Sequence, residues 1–136
     1  MISSGVNYWA ILVAGAVYFI LGALWYSKGL FGKAWMVGIG KTEEQIKAAF
    51  SFWTLIWAFI GSLIAAYGIA RVLSWTSGAS CSGGFMLGLL AGICFILAPM
   101  FINDVMEHRP CKLTTINVLY HLVAFIIMGI IIGAWR

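Results

Sequence analysis

The sequence predicts an all-α membrane protein: four transmembrane helices, with a short interfacial helix between the first and the second. Three observations lead there. Hydrophobic residues make up 63% of the 136-residue chain and charged residues 9%, against about 45–50% and about 25% in soluble domains. A soluble fold could not cover itself with so little polar surface. The apolar residues also gather into four runs, each about 20 residues long, and at ~1.5 Å per residue such a run crosses a ~30 Å hydrocarbon core. Finally, the few charges fall between the runs, as they must where lipid is the solvent.

The first run covers residues 7–26, inside a stretch from Met1 to Ser27 without a charged side chain. It lacks the basic start and the small-residue cleavage pattern of a signal peptide, so it reads as a retained helix. The second run, residues 51–70, is closed by Arg71; the third, 83–103, by Asp104; the fourth, 113–135, by Arg136. Residues 1–136 are therefore expected to form a single integral membrane domain. Within residues 27–50, Thr42 and Gln45 have capping-box spacing, which predicts a short helix starting near Glu43 and running into the second crossing. Before it, Leu30, Phe31, Trp35 and Met36 interleave with Lys28 and Lys33, a mixture suited to lipid headgroups. Gly40-Lys41-Thr42 resembles the end of a phosphate-binding loop. That motif needs a glycine where Trp35 stands, so no such loop is read.

Charge placement predicts topology. Lys28, Lys33, Lys41, Lys47, Arg109 and Lys112 fall in the first and third connections, and only Arg71 and Arg136 on the opposite side. The positive-inside rule puts both loops in the cytoplasm and both termini outside it. Trp9, Trp75 and Trp135 would form one interfacial belt and Trp25, Trp35 and Trp53 the other. Because topology explains the basic residues, no nucleic-acid partner is expected. Cys81, Cys94 and Cys111 have no metal-site or redox spacing and read as small packing residues.

Gly84, Gly88 and Gly92 form a stripe on the third helix, and Gly129 and Gly133 form one on the fourth. Such stripes let helix backbones approach closely. With so few helices, at least one stripe is expected to meet a second copy, giving a homo-oligomer. Pro99 removes a backbone hydrogen bond inside the third helix and predicts a kink. Helices one and four each carry an asparagine and, 18 residues on, a tryptophan (Asn7 and Trp25, Asn117 and Trp135). No internal repeat is read from this.

Polar residues inside the runs are the candidates for chemistry. Thr114, Asn117 and His121 fall at helical spacing on the fourth helix, with Tyr120 beside them. Two readings stay open. The group lines a wet path or a ligand pocket, or else its members bridge helices at about 0.6 kcal/mol each. Asp104, Glu107, Arg109 and Lys33 form a second cluster at the cytoplasmic interface. If the third helix runs on, Asp104, Glu107 and His108 project from one side of it. Carboxylates at a helix C-terminus need a compensating cation, for which Arg109, Lys112 and Lys33 are at hand. An ion-pair network is favoured there over a metal or acid–base site. No catalytic residue, metal set or cofactor motif is legible.

Several segments resemble a family. They are Leu24-Trp25-Tyr26-Ser27, then Leu30-Phe31-Gly32-Lys33-Ala34-Trp35-Met36 with Thr42-Glu43-Glu44, and later Glu107-x-Arg109-Pro110-x-Lys112-Leu113. Ile116-Asn117-x2-Tyr120-His121-Leu122-Val123, Met128-Gly129 and Gly133-Ala134-Trp135 complete the set. The chain is similar over most of its length to the small bacterial membrane proteins of domain of unknown function 1761, departing at Lys28, where the family usually has proline. The resemblance implies a four-helix fold in the bacterial inner membrane and no particular activity. It picks out Lys33, Glu107, Arg109, Asn117, Tyr120 and His121. Among functions, transport or small-ligand binding through helix four is preferred, because polar groups at mid-depth are hard to explain in a scaffold. An accessory subunit binding lipids or a larger membrane complex comes second, and an enzyme last.

Overall fold

The computed structural model describes residues 5–76 and 80–135; Arg136, counted in the charge asymmetry, lies outside them. The described residues form α1 (Tyr8–Trp25), α2 (Gly32–Ile39), α3 (Glu43–Ala49), α4 (Phe52–Ser74), α5 (Cys81–Ala91), a π-helical turn (Gly92–Leu97), α6 (Ala98–Met106) and α7 (Cys111–Ala134). There is no strand among them. Four helical spans are long and apolar enough to cross a membrane: α1, α4, the continuous Cys81–Met106 segment, and α7.

Capping chemistry sets the ends. The Asn7 side chain accepts from the Trp9 and Ala10 N–H groups at 3.0 and 3.2 Å, so α1 begins just after it. Ser80 accepts from the Gly83 N–H at 3.2 Å and starts α5. Charged residues mark run ends less faithfully. Arg71 lies inside α4, which continues to Ser74. A cation is favoured in a last turn, and its guanidinium lies 5.9 Å from the Trp75 ring centre.

The connection after α1 holds two short helices, where one was expected. A turn from Ser27 to Phe31, closed by the Gly32 N–H to the Ser27 carbonyl at 2.9 Å, leads into α2. That helix ends at Gly40, whose φ of 70° suits glycine. The Gly40 and Lys41 N–H groups return to the Val37 and Met36 carbonyls, each at 3.2 Å. The Gly40-Lys41-Thr42 sequence is thus a stop followed by a start. Thr42 and Gln45 exchange the two capping-box bonds at 3.0 and 3.3 Å. Contrary to expectation, α3 does not run into α4. Phe50 and Ser51 are extended, and the Thr54 hydroxyl accepts from the Ser51 N–H at 3.4 Å, so the backbone breaks and restarts. Glu43 ties the segment to the end of α1 through Lys28 at 2.5 Å and to its own helix through Lys47 at 2.9 Å.

Helix α7 is central, packing on α1, α4 and α5. Its closest neighbour is α5, antiparallel to it. A Cβ on Gly84 would overlap the Gly129 carbonyl, and one on Gly129 the Gly84 carbonyl. Gly88 faces the Phe125 carbonyl, Gly92 the Leu122 side chain and Gly133 the Ser80 carbonyl. The glycine stripes therefore meet each other within one chain. The core between α1, α4 and α7 is small-residue packing around Ala10, Ala14, Ala66, Ala124 and Met128, each 0–1% exposed. The outer surface is apolar too, with Leu12, Ile20, Ile64, Phe95 and Ile102 all exposed. Cys81, Cys94 and Cys111 are also exposed and unpaired, so the expectation of packing residues fails for them.

The kink expected at Pro99 takes a particular form. The α5 ladder widens into the π-helical turn Gly92–Leu97, and α6 restarts at Ala98 with Pro99 in its first turn. Ala98 reaches back five residues to the Ile93 carbonyl, and Pro99, which has no N–H to give, follows where the widened ladder returns to α-helix. The π turn and α6 consequently stand off from α4, which they barely touch.

Candidate functional site

The standoff leaves a cavity of about 840 Å³, open to the outside. Its outer walls are α4, through Thr54, Ala58, Gly61 and Ser62, and the π–α6 segment, through Phe95, Pro99 and Asn103. Its floor comes from α1 and α7, through Tyr18, Tyr26, Tyr120, His121 and Phe125, and Trp35 of α2 closes one end. No Asp, Glu, Lys or Arg lines it. Apolar walls with a few placed polar groups are what small-molecule sites have in common.

The floor is held by hydrogen bonds between the antiparallel helices α1 and α7. The Tyr18 hydroxyl meets His121 Nδ1 in a short contact. The Tyr26 hydroxyl donates to Asn117 Oδ1 at 2.8 Å, and the Tyr120 hydroxyl to the Tyr18 carbonyl at 3.2 Å. Trp25 Nε1 donates to the Ile116 carbonyl at 3.0 Å. The rings stack around Tyr120: Tyr18 at 5.4 Å, Tyr26 at 5.3 Å and His121 at 4.7 Å between centres. Such aromatic pairs add about 0.5–1.5 kcal/mol each beyond their burial, so the tyrosine rings brace one another. Gly22 makes the geometry available, because a Cβ there would lie 2.6 Å from the Tyr120 hydroxyl.

The four candidates on the fourth helix therefore part company. His121 and Tyr120 line the cavity. Asn117 supports it from behind through Tyr26. Thr114 belongs elsewhere, donating to Asp104 Oδ2 at 2.6 Å. Tyr18 and Tyr26 were not singled out from the sequence. Their signal was spacing: Tyr18, Gly22 and Tyr26 fall at i, i+4 and i+8 on one helical face, and their hydroxyls are polar groups in an otherwise apolar run.

The second cluster gathers at the α6–α7 turn. Buried Asp104 holds Thr114, and Arg109 Nε lies 3.8 Å from Asp104 and 2.5 Å from Glu107. Arg109 is thus the cation that offsets the carboxylates. Lys33 does not join it. That side chain makes no ion pair among the described residues and instead lines a separate recess with Pro110 and Lys112. Nor does the third helix run on to present Glu107 and His108 on one side. It ends at Met106, because His108 turns into the left-handed region at φ 55°. The His108 and Arg109 N–H groups then bond the Val105 and Asp104 carbonyls at 3.2 and 2.9 Å, closing the helix. No group of three or more metal-ligating side chains occurs among the described residues.

Fold and site together define a four-helix protein whose aromatic-floored cavity lies between helices apolar enough for lipid. The chain matches the profile of the proteins of unknown function designated DUF1761 over residues 9–133, and it belongs to that family. Comparison with curated proteins and with solved structures gave no match.

Proposed function

We propose that this chain is an integral, multi-pass membrane protein that binds a small lipophilic molecule in the cavity between α4 and the π–α6 segment. The observation that carries the reading is the cavity itself, about 840 Å³ with an uncharged lining and a hydrogen-bonded floor of tyrosines and His121. A volume in the ~300–1,000 Å³ range accommodates a drug-sized ligand. The standoff that creates it arises where a π turn interrupts a helix, and such turns are frequent at functional sites. Apolar exposure on all the spans supports the membrane setting, because scattered large apolar side chains over a whole bundle suit lipid better than water. In that setting the lysine-bearing α2–α3 segment lies at the cytoplasmic headgroups of a bacterial inner membrane, where lysines attract anionic lipid.

Binding within one chain is favoured over a channel lined by helix four. Thr114 and Asn117 spend their side chains on Asp104 and Tyr26, so the stripe is not a continuous wet lining. The glycine contacts also need no second copy. Native mass spectrometry of gently extracted protein tests the reading, with wild type beside Gly61→Phe. Gly61 lines the cavity and has open space where a Cβ would go, so phenylalanine fills the cavity without a backbone clash. Wild type should retain a small lipophilic adduct that the variant loses. Identical adducts, or none in either, would count against the proposal. The same spectrum reports the subunit number.

A further inference from the structure

The hydrogen bonds of the cavity wall bear on the chemistry of an occupant. This step rests on the cavity being a binding site. Three hydroxyls in the wall have a fixed acceptor inside the protein. Tyr26 donates to Asn117, Tyr120 to the Tyr18 carbonyl, and Ser62 to the Phe59 carbonyl at 2.7 Å. Tyr18 has one partner among the described residues, His121 Nδ1. A buried hydroxyl hydrogen left without an acceptor is costly. With Tyr18 8% exposed, the arrangement that leaves no hydroxyl hydrogen unpaired inside the protein has Tyr18 donating and Nδ1 accepting. A neutral imidazole that accepts at one nitrogen carries its hydrogen on the other. His121 Nε2 is then an N–H donor.

That donor has no partner among the described residues, and no fully buried side-chain nitrogen or oxygen is left unsatisfied there. Nε2 is accordingly reachable, and the space beside His121 is the cavity. Trp35, in the same wall, likewise spends its indole N–H on nothing described. The Asn103 amide on the opposite wall can donate or accept. The cavity therefore offers unspent N–H donors, aromatic faces and no charge.

We infer that the cavity takes a neutral, ring-bearing lipophile presenting a carbonyl-type oxygen to the His121 Nε2–H. A charged ligand would find no counter-ion. A hydrocarbon would leave the donors unpaired in apolar surroundings.

The test uses two probes of one shape, duroquinone with two carbonyl oxygens and durene with none. Each is equilibrated with the full chain in phosphatidylcholine nanodiscs, and retention is measured above empty discs. Duroquinone should bind about tenfold tighter than durene, as expected for one hydrogen bond. His121→Phe should shrink the preference to about twofold or less. His121→Gln, which keeps a side-chain donor, should preserve most of it. Histidine-selective ¹⁵N spectra of wild type, which has two histidines, should show the His121 hydrogen on Nε2 and that signal moving with duroquinone alone. Equal retention of the two probes, or a hydrogen on Nδ1, would overturn the inference while leaving a lipophile-binding cavity. Retention of neither probe would overturn both.

Discussion

Replacing Gly84 by alanine is the most direct trial of how the bundle is held together. The added Cβ would overlap the Gly129 carbonyl oxygen and lie 2.5 Å from its carbon. Both are backbone atoms, so no side-chain rotation relieves the clash, and α5 must move away from α7. Overpacking of this kind costs about 1–3 kcal/mol, and a rigid backbone neighbour places Gly84 at the upper end. Alanine returns up to about 1 kcal/mol through its better helix propensity. The net expectation is about 2 kcal/mol of destabilisation. Gly68→Ala supplies the contrast, because a Cβ there meets nothing within 4 Å. Only the propensity gain remains, about 0.5–1 kcal/mol of stabilisation. Reversible unfolding in mixed micelles, followed by helical circular dichroism, compares the two. Adding Gly129→Ala to Gly84→Ala should cost less than Gly129→Ala alone, since both widen one gap. Equal and same-signed effects for Gly84→Ala and Gly68→Ala would refute the intrachain α5–α7 contact and leave the stripe free to serve a second copy.

His108→Gly should stabilise the protein by roughly 0.5 kcal/mol, because the left-handed conformation costs a side-chain-bearing residue about 1–2 kcal/mol and glycine's extra chain entropy takes back about 0.5–1. The same unfolding assay checks it, and destabilisation would mean that the imidazole has a role in the α6–α7 turn. Glu43 should titrate far below an ordinary glutamate, since its hydrogen bond to Lys28, then that to Lys47, lowers its pKa from 4.5 to about 2. A depressed carboxylate contributes stability above its unfolded pKa and loses it as pH falls through the folded one, so the Lys28–Glu43 tie should be complete above about pH 4.5 and lost near pH 2. A ¹³C carboxyl titration with a midpoint near 4.5 would show that the tie is absent.

Much of the fold could be read from composition and local chemistry. Four apolar runs become four helical spans because a backbone in such surroundings must satisfy itself locally, and apolar length records that need directly. The Thr42–Gln45 capping box was legible for the same reason: it closes within three residues. Helix ends were less so. Arg71 and Asp104 closed the runs by charge, yet both lie inside helices, since a terminal charge can be paired or placed in a favourable dipole without ending the backbone ladder. Helix α2 was missed because its start depends on the turn from Ser27 and its end on one glycine.

The site divided along the same line. His121, Tyr120 and Asn117 stood out because polar groups are rare in apolar helices, and that rarity is a property of the sequence. Which of them face the cavity depended on their partners across the bundle. The shared asparagine-to-tryptophan spacing of helices one and four shows the difference. With α1 and α7 antiparallel, Asn7 Nδ2 reaches the Trp135 carbonyl at 3.4 Å, while Asn117 meets Tyr26 beside Trp25. Composition and periodicity determined by themselves that the chain makes apolar helices and where their polar groups lie, because those are local demands of each segment. Only the tertiary structure decided that the glycines face one another within a chain and that the π turn at Gly92 opens a cavity onto Tyr18 and His121. Close approach and standoff are relations between helices, set by which surfaces meet.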